Sequence, residues 1–351
     1  MVRLLTALLA ALSLTACTAP PAPPTASSAP QASTVPCHPQ AAQPAPSERP
    51  LRVTVMTYNV LGGWPPLEWL PQIDKAELDP VKREPATVAL IRQVDADVIG
   101  LQEYRVADGA GAQLAADLDQ YTWVTQPEAG YEALALPILY RTSRFDCLAA
   151  GTRQVTAVGE HGSMLDRNVN WVELLDRDSG RRFFVFNHHA HPWQTDEFAA
   201  VRSATIDRVI EVMDEVNPSR AEPFLLAGDF NARNNDTRPV YGDHLRKLRQ
   251  AGLVDSATIA AKDTSNIPRA ASMNKMSAKV KGEYVGKVIR RNGQHIDYIW
   301  VPKGTKVRSW AAVSGPDVKW RKVRGQKVPV WSGIVPSDHS PVVAELRFPK
   351  G

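Results

Sequence analysis

The stretch FLLAGDFN, residues 224–231, begins with apolar side chains and ends with polar ones. A short apolar run of this kind is typical of a strand that is buried on both faces. Asp229 and Asn231 lie at its end, where the chain leaves the sheet. An aspartate and an asparagine that stand alone in such a place are more often turn residues than a functional site. The stretch therefore predicts a buried strand, and its function depends on what lies elsewhere in the chain.

Other apolar stretches of this chain end in the same kinds of side chain. The acids, amides and imidazoles at these ends are Asn59, Glu103, His188, His189, Asp229, Asn231, Asp297, Asp338 and His339. Separate turns explain so many such positions poorly. Carboxylate and amide oxygens are the ligands that Mg²⁺ and Mn²⁺ prefer, and such an ion neutralises phosphate oxygens. The set therefore indicates phosphoryl transfer assisted by imidazoles, and zinc is less favoured because the chain lacks a cysteine or three-histidine cluster.

The apolar pattern from residue 51 onward indicates an α/β fold. Alternation predicts a strand over 52–60, and the i, i+3, i+4, i+7 spacing predicts a helix over 196–216. Pro85 predicts the start of a helix that runs to Val94. Further strands are predicted at 97–101, 134–140, 169–175, 183–189, 224–227, 296–301 and 342–346. Because the strands are many and do not alternate strictly with helices, the pattern favours stacked sheets with outer helices over a doubly wound sheet.

Six short motifs occur in an order that resembles the endonuclease/exonuclease/phosphatase superfamily, the deoxyribonuclease-I-like group of Mg²⁺-dependent phosphodiesterases and phosphatases. They are TYN at 57–59, LQE at 101–103, FNHH at 186–189, GDFN at 228–231, HIDY at 295–298 and SDHSPV at 337–342. The resemblance implies a four-layer α/β/β/α sandwich of two stacked mixed β-sheets with outer helices. It covers essentially all of residues 51–351, which we therefore interpret as one catalytic domain with no room for a second.

The resemblance also implies which residues hold a metal ion, Mg²⁺ or Mn²⁺. Asn59 and Glu103 match the positions where the family holds its metal, with Glu103 as the main ligand. Asp338 is either a second ligand or a further support of the charged site.

The catalytic residues are implied in the same way. His189 matches the family's first histidine, which contacts the phosphate. Asp229 orients or deprotonates the attacking water, and Asn231 steadies the phosphoryl oxygens. Asp297 matches the acid that pairs with the last histidine, His339.

Two further histidines, His188 and His191, lie close to His189 in the sequence. As the strand neighbour of His189, His188 should face away from it, and Pro192 should end the strand before His191 can share its face. Both extra histidines are expected to support the site from behind or to face solvent.

Two residues upstream are candidates for substrate contact. Arg167 is a possible phosphate clamp, with an exposed loop arginine as the alternative, and Asn170 either touches phosphate or packs across the strands. Deoxyribonuclease-type relatives carry an extra glutamate where this chain has Leu134, and Glu132 is the candidate that takes its place on the same strand face.

The first fifty residues resemble the leader of a bacterial lipoprotein. Residues 1–16 read as a signal peptide, with Arg3 before an apolar run that is too short to span a bilayer. Leu14-Thr15-Ala16-Cys17 looks like a lipobox, in which Cys17 is lipidated; an ordinary cleaved signal with an incidental cysteine is the alternative. Residues 17–50 are a proline- and alanine-rich tether, so we expect the protein on the extracellular face of the cytoplasmic membrane, lipid-anchored or shed. Cys37 and Cys147 either form a disulfide or remain free thiols.

Charge is unevenly distributed, although the net value is only +4. Residues 270–330 contain 14 Lys and Arg against 3 Asp and Glu, whereas residues 51–269 contain 23 against 31. This basic segment favours a polyanionic substrate such as nucleic acid, an inositol phosphate or an anionic headgroup, and a solvated loop surface is the alternative. Trp310, Trp320 and Trp331 lie among these charges and either stack on bases, touch a membrane or fill the core.

These observations leave three hypotheses for function. The first is a secreted, membrane-tethered, divalent-metal-dependent phosphodiesterase, a nuclease acting on DNA or RNA. The second is a phosphatase or phospholipase-C-like enzyme that acts on inositol phosphates or sphingolipids. The third, a non-catalytic surface-binding lipoprotein, is disfavoured because every expected site residue is present. We expect a monomer that meets the membrane through its N-terminal lipid only.

Overall fold

The fold is seen in a computed structural model of the chain. It describes residues 37, 49–63, 78–105, 111–126, 130–156, 166–234, 236, 238, 240–265, 272–274, 279–280, 283–285, 295–315, 318–323, 326–331 and 334–349. The leader, most of the tether and part of the basic segment therefore lie outside the described residues.

Sixteen strands follow one another along the described part of the chain. In chain order they are β1 (Arg52–Asn59), β2 (Val98–Gln102), β3 (Tyr121–Val124), β4 (Ile138–Arg141), β5 (Phe145–Gln154), β6 (Asn168–Asp176), β7 (Arg181–His189), β8 (Phe224–Asp229), β9 (Leu253–Asp255), β10 (Lys279–Val280), β11 (Glu283–Val285), β12 (Asp297–Pro302), β13 (Lys306–Ala312), β14 (Val318–Val323), β15 (Gln326–Trp331) and β16 (Val342–Arg347). Twelve of them form two six-stranded mixed sheets, ordered β13-β16-β1-β2-β4-β3 and β5-β6-β7-β8-β12-β9.

Helices cover the outer faces of these two sheets. The helices of the described part of the chain are α1 (Pro80–Val94), α2 (Ala112–Asp117), α3 (Tyr131–Leu134), α4 (Asp196–Val216), α5 (Asp243–Gln250) and α6 (Ser256–Ile259), with a 3₁₀ helix at Pro218–Arg220. Of these, α1 and α2 lie on the first sheet and α4 and α5 on the second. Three apolar clusters hold the layers together: one between the sheets, one under α4 and α5, and one under α1 and α2. The predicted α/β/β/α sandwich is confirmed.

The long helix α4 has the predicted bounds, and both its apolar face and its N-terminal cap stabilise it. Its apolar side chains Ile206, Val209 and Met213 pack on the second sheet. The Thr195 side chain accepts a hydrogen bond from the Phe198 N–H and caps the first turn.

Helix α1 begins earlier than predicted. The Asp79 side chain accepts a hydrogen bond from the Val81 N–H, and Pro80 takes the first helical position. Pro85 therefore lies inside the helix instead of opening it. The wrong start arose because two prolines, each suited to a first turn, lie close together.

The strand predicted at 134–140 is also wrong in its first half. Residues Tyr131–Leu134 form α3, and β4 begins only at Ile138. Glu132 therefore lies in a helix, so the strand-face argument for it as a supporting glutamate fails. Its side chain is outside the described residues.

An additional small sheet was not predicted. Four strands between residues 279 and 331 pair antiparallel, in the order β10-β11-β15-β14. Apolar and polar residues do not alternate regularly in this region, so the sequence pattern that predicts a strand is weak there. The sheet is built from the basic segment, and Lys322 is an exposed side chain of the sheet within the described part of the chain.

A disulfide joins Cys37 to Cys147 on β5, with their Cα atoms 4.8 Å apart. Of the two alternatives left open by the sequence, the bridged form is therefore confirmed. Cys37 also packs against the apolar cluster between the sheets. No helix in the described part of the chain is long and apolar enough to cross a membrane.

A buried carboxyl on α1 makes stability depend on pH. Glu84 is 6 % exposed, and its Oε1 has no hydrogen-bond partner in the described part of the molecule. Burial raises the pKa of Glu84 to about 7, with the charge of Asp117 adding to this and that of Arg83 opposing it. The folded state therefore binds more protons than the unfolded chain between the usual pKa of 4.5 and about 7, so the free energy of unfolding falls as pH rises through that window.

We expect Glu84→Gln to be more stable than the wild type at pH 8 and nearly equal to it at pH 4, because glutamine mimics the protonated side chain. Urea unfolding at the two pH values measures this difference. A variant that is less stable than the wild type at pH 8 would contradict the assignment.

Candidate active site

Parallel strands bring the polar strand ends to one edge of the sandwich. β1 pairs in parallel with β2, and β7 pairs in parallel with β8, with His189 opposite Asp229. Because the carboxyl ends of parallel strands share an edge, Asn59, Glu103, His189 and Asp229 meet there. Asp297 starts β12 directly opposite Asp229, which adds an antiparallel strand to the same edge.

Asp229 lies at the centre of this group and is almost fully buried. Its Oδ2 accepts a hydrogen bond from Asn59 Nδ2 at 3.2 Å. The same oxygen is 3.6 Å from His189 Nε2 and 3.7 Å from His339 Nε2. Burial and the negative charge of Asp297 raise the pKa of Asp229 well above that of an ordinary aspartate. An environment of this kind makes a carboxylate more basic, as a proton acceptor must be.

Asp297 and His339 form a closely bonded pair beside Asp229. His339 Nδ1 lies 2.9 Å from Asp297 Oδ2 and 3.2 Å from its Oδ1. Burial alone would lower the pKa of His339, but the charges of Asp297, Asp229 and Asp338 outweigh burial and raise it well above the usual value. The ring is therefore charged at neutral pH, and its Nε2 proton points toward the cleft.

Backbone contacts fix both members of this pair. The Ser272 hydroxyl oxygen accepts hydrogen bonds from the Ile296 and Asp297 N–H groups. The Ser337 hydroxyl oxygen accepts one from the His339 N–H and donates to the Asn59 carbonyl. Ser337 thereby holds the SDH motif against the end of β1, and Ser272 holds the start of β12.

His189 and Asn231 form the opposite wall of the cleft. Asn231 Nδ2 is 3.2 Å from His189 Nε2 and donates to the Ala190 carbonyl at 3.0 Å. Burial, together with the charges of Arg167 and neighbouring histidines, lowers the pKa of His189 well below its usual value. His189 is therefore neutral, in contrast to His339, so the two imidazoles have different chemistry.

Two non-glycine residues of the site have left-handed backbone. Glu103 has φ 56° and Asn231 has φ 49°. Such conformations cost about 1–3 kcal/mol and persist where surrounding contacts impose them. At Glu103 the carbonyl accepts a hydrogen bond from the Gly62 N–H, and at Asn231 the N–H donates to Asp229 Oδ1.

The carboxylates of the site suit a divalent cation. Glu103 Oε1 accepts a hydrogen bond from Asn59 Nδ2 at 2.8 Å and lies 3.9 Å from His189 Nε2. Burial and the charge of Asp338 raise the pKa of Glu103, as expected for a carboxylate whose charge is incompletely neutralised. A hard cation bound by such oxygens relieves that repulsion, so the residues present fit Mg²⁺ or Mn²⁺.

A second set of potential metal ligands lies within the same cleft. Ligand atoms of Asp229, Asp297 and His339 all lie within 4.8 Å of one another. Both Asp297 oxygens already contact His339 Nδ1, so this trio is arranged as an acid–histidine pair next to a carboxylate. We therefore place the cation at Glu103, on the other side of Asp229.

Asn59 contacts two carboxylates of the cleft through its amide nitrogen. Its Oδ1 accepts a hydrogen bond from the Leu61 N–H at 3.0 Å, while Nδ2 donates to Glu103 and Asp229. In this arrangement Asn59 positions two carboxylates. Asp338 is partly exposed at the mouth of the cleft, and its charge affects the pKa of both Glu103 and His339.

The two extra histidines, His188 and His191, do not face solvent, so that part of the expectation is wrong. His188 is buried on the opposite face of β7, where Nδ1 lies 2.9 Å from the Asn168 carbonyl and the ring meets Phe230. His191 is also buried, stacked on the Phe198 ring at a centroid distance of 4.1 Å. Burial lowers the pKa of each to about 4, so both are neutral packing residues.

The two upstream candidates differ in what they contact. Arg167 is buried, which excludes the exposed-loop alternative, and its charge lowers the pKa of His189. Asn170 Nδ2 donates to the Ala133 and Leu136 carbonyls at 2.6 and 2.8 Å, so its donors support the loop before β4. Trp310 is buried as well, whereas the side chains of Trp320 and Trp331 lie outside the described residues.

Sequence reasoning missed a polar network beneath the site. Asn187 Oδ1 accepts a hydrogen bond from Gln102 Nε2 at 2.7 Å, and its Nδ2 donates to the Leu101 carbonyl at 2.7 Å. Gln102 Nε2 also donates to Thr57 Oγ1. The network fastens the two sheets together behind Glu103 and His189. A Cβ at Gly100 would lie 3.0 Å from Asn187 Oδ1, which explains the glycine there.

Arg83 on α1 is a second missed residue. Its buried guanidinium donates only to backbone carbonyls in the described contacts, among them Leu61 at 2.6 Å, Gly63 at 2.9 Å and Pro336 at 2.8 Å. It thus ties the loop after Asn59 to the loop before His339. No spacing or motif in the sequence distinguishes such an arginine from an ordinary helix-surface residue.

Comparison with known proteins agrees with this geometry. The profile described as Endonuclease/Exonuclease/phosphatase family matches residues 56–339. The chain belongs to this family. Members of the family hydrolyse phosphoesters and are generally divalent-metal dependent. No curated protein matches the chain significantly.

Solved structures share the fold of this family member at low identity. An endonuclease/exonuclease/phosphatase family protein from Bacteroides thetaiotaomicron has a TM-score of 0.63 at 20 % identity, covering 86 % of this chain and 100 % of its own. A mannosyl-6-phosphatase from Bacteroides thetaiotaomicron has a TM-score of 0.61 at 20 % identity, covering 84 % and 100 %. D. rerio TDP2 complexed with single strand DNA product has a TM-score of 0.52 at 15 % identity, covering 84 % and 98 %.

Proposed function

We propose that this protein is a divalent-metal-dependent phosphodiesterase that cleaves nucleic acid. The observation that carries the proposal is the placement of Asp229 Oδ2, which lies near both a neutral and a charged imidazole. This arrangement offers a proton acceptor and a cationic donor on the two sides of one small space, as hydrolysis of a phosphoester requires.

Each residue contributes a separate step to such a reaction. Asp229 accepts the proton of the attacking water, because burial and Asp297 make its carboxylate basic. His339, kept charged by Asp297, donates from Nε2 to an oxygen of the phosphoryl group as negative charge develops. Asn231 Nδ2 and His189 Nε2 position the remaining phosphoryl oxygens. When bound at Glu103, the divalent cation supplies neutralisation of phosphate charge.

Nucleic acid is the substrate class that the charge distribution favours. The basic segment 270–330 brackets HIDY and precedes SDH in the sequence. Part of it forms the four-stranded sheet β10-β11-β15-β14. Its excess of Lys and Arg over Asp and Glu, close in sequence to two motifs of the site, supports binding of a polyanion along its backbone. The fold likeness to TDP2, complexed with single strand DNA product, is compatible with this choice.

A phosphatase acting on a small phosphomonoester is the second candidate. It is favoured by the fold likeness to a mannosyl-6-phosphatase, which has a higher TM-score than TDP2. The cleft itself contains the groups that both reactions need.

A substrate panel separates the two candidates. Purified protein with Mg²⁺ or Mn²⁺ would be incubated with plasmid DNA, RNA, sugar phosphates, inositol polyphosphates and sphingomyelin, with Asp229→Asn as the matched inactive control. The proposal predicts Asp229-dependent nicking or digestion of DNA or RNA. Release of phosphate or phosphocholine without any cleavage of nucleic acid would overturn it.

We also propose that the enzyme is a lipoprotein, anchored through Cys17 on the extracellular face of the cytoplasmic membrane. The proposal is supported by the lipobox-like sequence Leu14-Thr15-Ala16-Cys17 and by the proline-rich stretch that follows. The Cys37–Cys147 disulfide supports an oxidising, extracytoplasmic location.

A further inference from the structure

Three cations lie side by side on adjacent strands of the first sheet. Arg52 of β1 is paired with Arg347 of β16, and Arg347 is paired with Lys306 of β13. Directly paired residues point to the same face of a sheet, and like charges in such pairs repel each other. All three side chains are exposed. We refer to them as the cation row.

The acids close to the cation row already have partners. Asp97 lies 2.8 Å from Arg144, and Asp178 lies 3.7 Å from the same guanidinium. Glu345 lies 3.5 Å from Arg308. Among the described residues, no carboxylate forms an ion pair with a member of the cation row.

A cleft runs beside the cation row and gives it a binding surface. Its volume is about 830 Å³, and the members of the cation row line it together with Arg144 and Arg308. Asp97, Asp178 and Glu345 line it as well, and because these acids pair with Arg144 and Arg308, the three cations of the cation row remain without an anionic partner among the described residues. The repulsion among them would be relieved by anions that enter it.

This surface lies at the opposite end of the sandwich from the catalytic site. β1 begins at Arg52 and ends at Asn59, and a strand of that length spans about 23 Å. The cation row is thus on the pole where β1 starts, and Asp229 and His339 are on the pole where it ends.

The N-terminal chain joins the domain at this same pole. Leu51 directly precedes Arg52, and its carbonyl accepts a hydrogen bond from the Phe348 N–H beside Arg347. Cys147, which binds Cys37, is opposite Leu174, which in turn is opposite Phe183 near the start of β7. The disulfide is therefore far from His189, which ends β7. The N-terminal chain is thus fixed to the domain at this pole, through Cys37 and through Leu51.

We propose that the cation row and its cleft form a docking surface for anionic lipid headgroups of a bilayer, and that the catalytic cleft consequently faces away from the membrane. Charge complementarity supports an anionic partner, and the entry of the N-terminal chain at the same pole supports a membrane over a soluble polyanion. The docking surface adds a second membrane contact to the lipid on Cys17 and rests on the proposed membrane location of the enzyme. It favours soluble substrates over lipids of the anchoring bilayer.

Vesicle binding tests the docking surface without the lipid anchor. The full chain carrying Cys17→Ala would be mixed with vesicles of phosphatidylcholine alone or with added phosphatidylglycerol, and binding would be measured by co-sedimentation at two salt concentrations. We expect binding only to the anionic vesicles, with weaker binding at the higher salt concentration. Equal binding to both kinds of vesicle, or none to either, would overturn the proposal.

Charge removal then assigns the binding to these residues. A triple variant that combines Arg52→Gln, Lys306→Gln and Arg347→Gln should bind anionic vesicles at least about tenfold more weakly. The reason is that each cation near an anionic membrane surface adds to the free energy of binding. The matched control removes three exposed cations from outer helices, Lys82→Gln, Arg208→Gln and Arg246→Gln, and should bind as the parent does. Equal losses in both triple variants, or no loss in the first, would contradict the proposal.

Three further readouts show what a loss of vesicle binding means. Removing mutually repelling cations should leave the thermal unfolding temperature equal to or above that of the parent, which verifies folding. Phosphoester hydrolysis should be unchanged in the cation-row variant, so a failure of the docking surface is distinct from a failure of the proposed reaction. If the variant lost affinity for a DNA oligonucleotide but kept its affinity for vesicles, the surface would be a polyanion site and the membrane assignment would be wrong.

Discussion

Replacement of His339 by alanine will lower kcat by about 10³-fold or more while the protein stays folded. His339 is the charged imidazole of the site, and its Nε2 points toward the centre of the cleft, 3.7 Å from Asp229 Oδ2. The variant loses the cation that stabilises charge developing on the phosphoryl group. Steady-state kinetics on a simple phosphodiester, with circular dichroism to verify folding, measures the effect.

The paired acid provides the control for this prediction. Asp297→Asn keeps the side-chain shape but removes the charge that holds His339 protonated, so it should lower kcat less than His339→Ala does. Because the two residues act as a unit, the double variant should be no slower than His339→Ala alone. Additive losses would show that Asp297 acts independently of His339 and would contradict the assigned pairing.

Glu103→Gln should abolish the response of the enzyme to divalent cations and lower kcat at a given Mg²⁺ concentration by about 10³-fold or more. The carboxylate is the acid of the cleft to which we assign the cation, and glutamine keeps its size without its charge. A Mg²⁺ titration of activity, together with calorimetric measurement of Mg²⁺ binding, separates lost affinity from lost chemistry.

Glu84→Gln is the matched control for that variant. Glu84 is also a buried carboxyl with a raised pKa, but it lies on α1 and is not part of the cleft. It should keep the wild-type Mg²⁺ response. An equal loss in both variants would indicate a general effect of removing buried carboxylates, and retention of Mg²⁺ binding in Glu103→Gln would move the metal elsewhere.

The parts of the fold that could be predicted are those whose signal is local. The apolar residues of α4 keep a helical spacing, so the sequence predicts its bounds, and the structure adds the Thr195 cap at its first turn. β8 ends in Asp229 because an apolar run gives way to polar residues there. Asn59, Glu103, His189 and Asp229 come together for a related reason: each lies at or directly after the carboxyl end of an apolar strand, and the paired strands β1–β2 and β7–β8 are parallel.

The parts that could not be predicted depend on contacts between distant residues. Arg83 resembles any helical arginine in the sequence, and only the folded chain shows that it joins the loops on either side of the cleft. His188 and His191 were expected near solvent or behind the site, but neighbouring rings such as Phe230 and Phe198 bury them. α3 was read as a strand because four residues are too few to establish a helical period.

The central claim is that the cleft around Asp229 hydrolyses phosphoesters with the help of a divalent cation. The most direct measurement is hydrolysis of bis(p-nitrophenyl) phosphate by the purified protein before chelation, after treatment with EDTA, and after Mg²⁺ or Mn²⁺ is restored. We predict turnover that EDTA removes, that the added cation restores, and that Asp229→Asn lacks throughout. Turnover that persists in EDTA, or that Asp229→Asn retains, would contradict the account.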